Sequence, residues 1–149
     1  MHLPVAGLTP ALEGFRIAHL TDLHVGRWST RAFLDEVVQT TNLLNADVVL
    51  FTGDLLDISI SDLPPAIDTI KRLRSRHGVY MIEGNHDLID NGAMFRHAVL
   101  HEGLNFLRSS IAKLEHNGQL LELLGLPWSR SELMMQQDVM ALASMRDRG

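Results

Sequence analysis

The chain has 149 residues, 46% hydrophobic and 21% charged, with no cysteine and a formal net charge of −5. This is globular composition for one domain spanning residues 1–149, and it excludes a disulfide framework and any thiolate-held metal, so a bound ion would need His, Asp, Glu or Asn. The acidic balance argues against general nucleic-acid binding, and no apolar run approaches the ~18 residues of a membrane helix.

The stretch Met1 to Gly7 lacks the basic-then-apolar order of a signal peptide, so a cytoplasmic location is expected, with peripheral membrane association compatible. Residues 15–20 read as a strand, with His19 among its packed positions. Residues 31–44 place Phe33, Leu34, Val37, Val38, Thr41 and Leu44 at helical spacing, with Ser29 or Thr30 as N-cap. Residues 47–51 include the run Val48-Val49-Leu50-Phe51, which reads as a fully buried strand by composition. A helix is expected over 63–75, with Pro64 and Pro65 in its first turn and Gly78 as its stop. Residues 79–82 give a third strand, 93–102 a third helix and 104–107 a fourth strand. Residues 111–115 and 119–124 flank Asn117-Gly118, a strong two-residue hairpin turn. A last helix is expected over 131–145, its methionines Met134, Met135, Met140 and Met145 filling gaps in a core or interface. Alternating strands and helices predict a parallel α/β sheet with right-handed crossovers, whose ligands sit beyond the carboxyl ends of the strands.

Polar residues gather at those ends. The first strand is followed by Asp22-Leu23-His24, the second by Gly53-Asp54-Leu55-Leu56-Asp57, the third by Gly84-Asn85-His86-Asp87. The intervals are 32 residues from Asp22 to Asp54 and 31 from Asp54 to Asn85, close to one βα unit each, so the three loops should lie side by side. Glycine before Asp54 and before Asn85 permits a sharp turn and close approach to an ion.

These three motifs resemble those of the calcineurin-like metallophosphoesterase superfamily, from about residue 15 to residue 128. The first motif, Thr21 to Gly26, is most similar to that of small bacterial phosphodiesterases. Protein serine/threonine phosphatases differ where this chain has Ile58-Ser59 and Asp87. The resemblance implies an αββα sandwich, here truncated to its N-terminal βαβαβ half plus a hairpin and a helix. It also implies two divalent metal ions, Mn, Fe or Zn. Asp22 and His24 would hold the first, Asp54 would bridge both and Asn85 would bind the second. His86 would act on the phosphate without binding metal, Asp87 would orient His86 by a hydrogen bond, and Asp57 would tie loops together.

The implied function is hydrolysis of a phosphoric ester, by preference a phosphodiester, by water activated at the dinuclear centre, with a small-molecule phosphoester as partner. The sequence lacks the family's later His segment and its Gly-His-X-His element. That keeps open an alternative, a catalytically inactive binding module or scaffold. It also implies an exposed sheet face covered by self-association or a partner chain. His97 and His101, four apart on the third helix, read as surface residues, His116 as a solvated residue beside the turn, and Trp28 as packed on its loop; His2 and His77 have equally bland readings.

Overall fold

The computed structural model describes residues 7–146. His2 lies outside the described residues.

Four strands, β1 (Ile17–Leu20), β2 (Val48–Phe51), β3 (Val79–Met81) and β4 (Asn105–Phe106), form one parallel sheet in the order β1-β2-β3-β4. The crossovers carry α1 (Arg31–Leu43), α2 (Leu63–Lys71) and α3 (Gly92–His101). A two-stranded antiparallel hairpin, β5 (Ser110–His116) and β6 (Gln119–Gly125), and a final helix, α4 (Glu132–Arg146), follow. The architecture is the expected α/β one.

Sheet and helices close on one core. Ala18, Val49, Phe51 and Met81 from the strands meet Leu34 and Val38 of α1, Ala66, Ile67 and Ile70 of α2, and Phe95 and Val99 of α3 in a single buried cluster. Side chains alternate along a strand, so the opposite face carries Ile17, His19, Val48, Leu50 and Tyr80. Val48 there is fully buried, while Ile17 is 57% exposed and Leu50 and Tyr80 are half-buried. His19, expected to be packed, is exposed, because it shares the outward register of Ile17 on an edge strand; its Nε2 lies 2.7 Å from the Thr52 hydroxyl.

Local chemistry fixes the element ends. Thr30 caps α1, its hydroxyl accepting from the Phe33 N–H at 3.2 Å. The spacing predicts α2 to residue 75, yet it stops at Lys71. The cause is tertiary. The Asn42 side chain donates to the Arg72 carbonyl at 3.0 Å and accepts from the Arg74 N–H at 2.8 Å, so α1 captures backbone groups that would otherwise extend α2. Phe33 and Leu44, expected on the buried stripe of α1, lie outside it at 46% and 54% exposure, and Leu34, Val38 and Thr41 form the stripe. Asn117 and Gly118 both take positive φ, as a tight hairpin requires.

Three further expectations are corrected. Trp28 is 80% exposed, with the Arg27 guanidinium 5.1 Å from its ring centre rather than a packed wall. Met134, Met135, Met140 and Met145 are exposed rather than filling a core within the chain, where Leu142 is the buried residue of α4. His116 is 6% exposed, since it follows Leu114 at the inward spacing of β5 and shares its face.

Candidate metal centre

The loop after β1 continues to pair in parallel fashion with the loop after β2. The Asp22 N–H donates to the Gly53 carbonyl (3.1 Å), the His24 N–H to the Asp54 carbonyl (3.0 Å) and the Val25 N–H to the Leu55 carbonyl (2.7 Å). This pairing sets Asp22 and His24 beside Asp54. All three hold left-handed backbone, with φ of 56°, 43° and 55°. Non-glycine residues adopt that region at a cost and cluster where a surrounding structure enforces it. Three such residues at two adjoining strand ends are a signature of a built site.

The loop after β3 closes on the same spot. A Cβ added to Gly53 would lie 2.5 Å from the Gly84 nitrogen, and one added to Gly84 would lie 2.1 Å from Asp54 Oδ1. Only glycine at both positions lets the two turns touch. The His86 N–H then donates to Asp54 Oδ1 at 2.9 Å, which aims that carboxylate across the mouth of the three loops. Asn85 stands between Gly84 and His86, half-buried at the same rim.

One ligand atom each from Asp22, His24 and Asp54 lies within 4.8 Å of the other two. Donors on one ion at about 2.0–2.2 Å are at most roughly 4.4 Å apart, so small side-chain rotations bring the three onto a common centre. His24 presents Nε2 to the site, 3.6 Å from Asp22 Oδ1. Its Nδ1 is buried with no hydrogen-bond partner, the nearest carboxylate oxygen being Asp57 Oδ1 at 3.7 Å. An imidazole held by Nε2 on an ion would supply a reason for Nδ1 to close on Asp57. The Thr21 hydroxyl donates to Asp22 Oδ2 at 2.5 Å. The donor set of two carboxylates and an imidazole suits Mn, Fe or Zn, and the residues fit a divalent ion.

Asp87 and Asp57 exchange the parts expected of them. Asp87 is 1% exposed, and its carboxylate accepts the backbone N–H of Gly84 (2.9 Å), Asp54 (3.0 Å) and Leu56 (2.9 Å). It therefore ties the second and third loops together rather than orienting the His86 ring. Burial raises its pKa above the ordinary carboxylate range; the N–H groups of Gly84 and Leu56 oppose this, and the Asp54 charge adds to it. The His86 ring is held instead by the Asp57 carbonyl, 2.5 Å from Nδ1. A carbonyl only accepts, so Nδ1 carries the proton and Nε2 is left for other work. The His24 and His86 rings meet edge-on, centres 4.5 Å apart. No spacing rule announces a backbone carbonyl as a ring partner, which is why the sequence pattern named the wrong aspartate.

A second residue escaped the motif reading. Glu83, just before Gly84, is 2% exposed and takes a forked ion pair from Arg96 of α3 (2.5 and 2.8 Å), with Arg108 Nε at 3.5 Å. It braces the base of the third loop. His97 and His101 are exposed and stacked 6.0 Å apart on α3.

The family model described as calcineurin-like phosphoesterase matches residues 15–136. A zebrafish protein named "Transmembrane protein with metallophosphoesterase domain" is 35% identical over 115 residues, 76% of this chain and 26% of its own length. An uncharacterized metallophosphoesterase of Helicobacter pylori is 38% identical over 72 residues, covering 48% of this chain and 20% of itself. The Bacillus subtilis metallophosphoesterase YkoQ is 32% identical over 82 residues, 54% of this chain and 30% of itself. Relatives thus come from animals as well as bacteria, and the chain spans about a quarter of the zebrafish relative's length. No helix among the described residues is long and apolar enough to cross a membrane. With its three loop motifs all inside the matched span, the chain belongs to the calcineurin-like phosphoesterase family.

Proposed function

We propose that this chain hydrolyses a phosphoric ester, a phosphodiester by preference, at the mouth formed by the loops after β1, β2 and β3. The carrying observation is Asp54: its carboxylate is aimed by the His86 N–H and stands within 4.8 Å of ligand atoms from both Asp22 and His24. In this reading Asp22, His24 and Asp54 hold one divalent ion, and Asp54 and Asn85 hold a second. Bound there, such ions supply Lewis-acid charge for phosphoryl oxygens and a more acidic water at neutral pH.

The protein's own groups do the rest. Asp54 can serve two ions because one oxygen is fixed by a backbone N–H while the carboxylate keeps unused lone pairs. His86 stands at the rim with Nδ1 committed to the Asp57 carbonyl. With Nε2 protonated as well, the imidazolium would stabilise negative charge on a leaving oxygen and donate a proton to it. Asp87 keeps the second and third loops in register, and Glu83 with Arg96 keeps the third loop on the sheet.

Hydrolysis of bis(p-nitrophenyl) phosphate tests the proposal. Turnover is expected with Mn²⁺, Fe²⁺ or Zn²⁺ and none with a chelator present. A folded, metal-loaded sample without turnover would support the second reading, an inactive binding module. The proposed setting is the cytoplasm, compatible with peripheral association with a membrane; the zebrafish relative's name speaks of a transmembrane protein and does not name a compartment.

A further inference from the structure

The far end of the sheet holds a second cluster of ligand-type side chains. Asp47 precedes β2, His77 precedes β3, and His116 ends β5. One ligand atom from each lies within 4.8 Å of the other two. His77 Nε2 and His116 Nδ1 are 3.0 Å apart. Two imidazole nitrogens on one tetrahedral ion, at about 2.0–2.1 Å from it, stand about 3.3 Å apart. The pair is therefore already at nearly the spacing an ion imposes.

We propose that Asp47, His77 and His116 form a structural site for a Zn²⁺-class ion that clips the β5–β6 hairpin to the sheet. It does not rest on the catalytic reading, because it lies at the amino ends of the strands while the Asp22–Asp54–His86 mouth lies at their carboxyl ends.

Three further observations carry it. First, His116 is 6% exposed and Asp47 8%, so two of the three groups are withdrawn from water. A site shielded from water strengthens the electrostatic attraction of its ligands for a cation. Second, the Asp47 carboxylate is supported as ligating carboxylates are: Oδ2 accepts the Arg16 N–H at 2.8 Å and Oδ1 stands 3.2 Å from Arg76 Nη1. The His77 N–H donates to the Asp47 carbonyl at 2.7 Å, locking the two segments together. Third, Phe15 closes the cluster, edge-on to His116 at 4.9 Å and stacked on His77 at 6.0 Å. This gives the site an apolar wall and a polar floor.

The ligand set selects the ion. Two imidazoles and a carboxylate suit Zn²⁺, Co²⁺, Ni²⁺ or Cu²⁺ far better than Mg²⁺ or Ca²⁺. The sites of action are residues 47, 77 and 116, far apart in sequence, so one ion would join β2, β3 and the hairpin at a single point.

The test uses the full chain carrying Asp22→Asn and Asp54→Asn, which disables the strand-end centre. Zn²⁺ alone is titrated by calorimetry, and Co²⁺ is used as a spectroscopic substitute. The expected result is one remaining equivalent of Zn²⁺, a Co²⁺ visible spectrum abolished by Zn²⁺, and an X-ray absorption signature of two imidazoles. Adding His116→Gln, or His77→Gln, should weaken Zn²⁺ at least 100-fold. In the otherwise unchanged chain, either histidine substitution should remove one equivalent, which keeps the test open if the disabled chain does not fold. Absence of the remaining equivalent in a folded chain overturns the proposal. So does an equivalent that survives both histidine substitutions. A melting temperature insensitive to Zn²⁺ would show that His77 and His116 share a hydrogen bond and nothing more.

Discussion

If, as proposed, the His86 ring acts on the ester and holds no ion, His86→Ala should cut turnover by about 10²–10⁴-fold while leaving bound metal unchanged. Loss of metal in that variant, read by elemental analysis, would make His86 a ligand instead. The buried Asp87 gives a pH prediction. Its folded-state pKa is raised, so the folded chain keeps the proton to higher pH than the unfolded chain does. Its contribution to stability is then full below the ordinary carboxylate pKa and is lost as pH rises through the raised value. In metal-free protein, wild-type stability relative to Asp87→Asn should fall as pH rises from about 4, then level off. A relative stability that climbs with pH would mean that the three N–H bonds outweigh burial. The types and spacing of Asp22, His24, Asp54, Asn85 and His86 were legible in the sequence, because strand ends recur every ~30 residues in a βα array. The exchange between Asp57 and Asp87 was not. It depends on which carboxylate faces three amides and which carbonyl faces a ring, and both follow from loop packing rather than residue type.

At the scale of elements, the third loop stands on an ion pair between Glu83, just past β3, and Arg96 of α3. Arg96→Ala would leave Glu83 buried with only the more distant Arg108, and should destabilise the fold by about 3–5 kcal/mol. Adding Glu83→Gln should recover part of the loss, since the buried charge goes with it. Equal stability of Arg96→Ala and wild type in urea unfolding would show that water already screens the carboxylate. Strands and helices were readable from apolar runs and helical periods, and the Asn117-Gly118 turn from its dipeptide. The early end of α2 was not, because Asn42, about 30 residues upstream, supplies the bonds that stop it. The burial of His116 was hidden for a similar reason. A histidine beside a turn reads as solvated until the partner across the fold, His77, is known.

At the scale of the molecule, a sheet covered by three helices on one face delivers three loops to one edge, and those loops meet because Gly53 and Gly84 have no side chains to hold them apart. On the other face Val48 is buried while Ile17 and His19 are exposed. The proposed chemistry therefore depends on the convergence of these three loops at one edge of the sheet. Asp54 is the point through which that convergence passes. Equilibrium dialysis of wild type and Asp54→Asn against Mn²⁺, with turnover measured on the same samples, tests it most directly. Metal and turnover should disappear together in Asp54→Asn, with the fold retained by circular dichroism. Full Mn²⁺ stoichiometry in that variant would contradict the shared centre of Asp22, His24, Asp54 and Asn85.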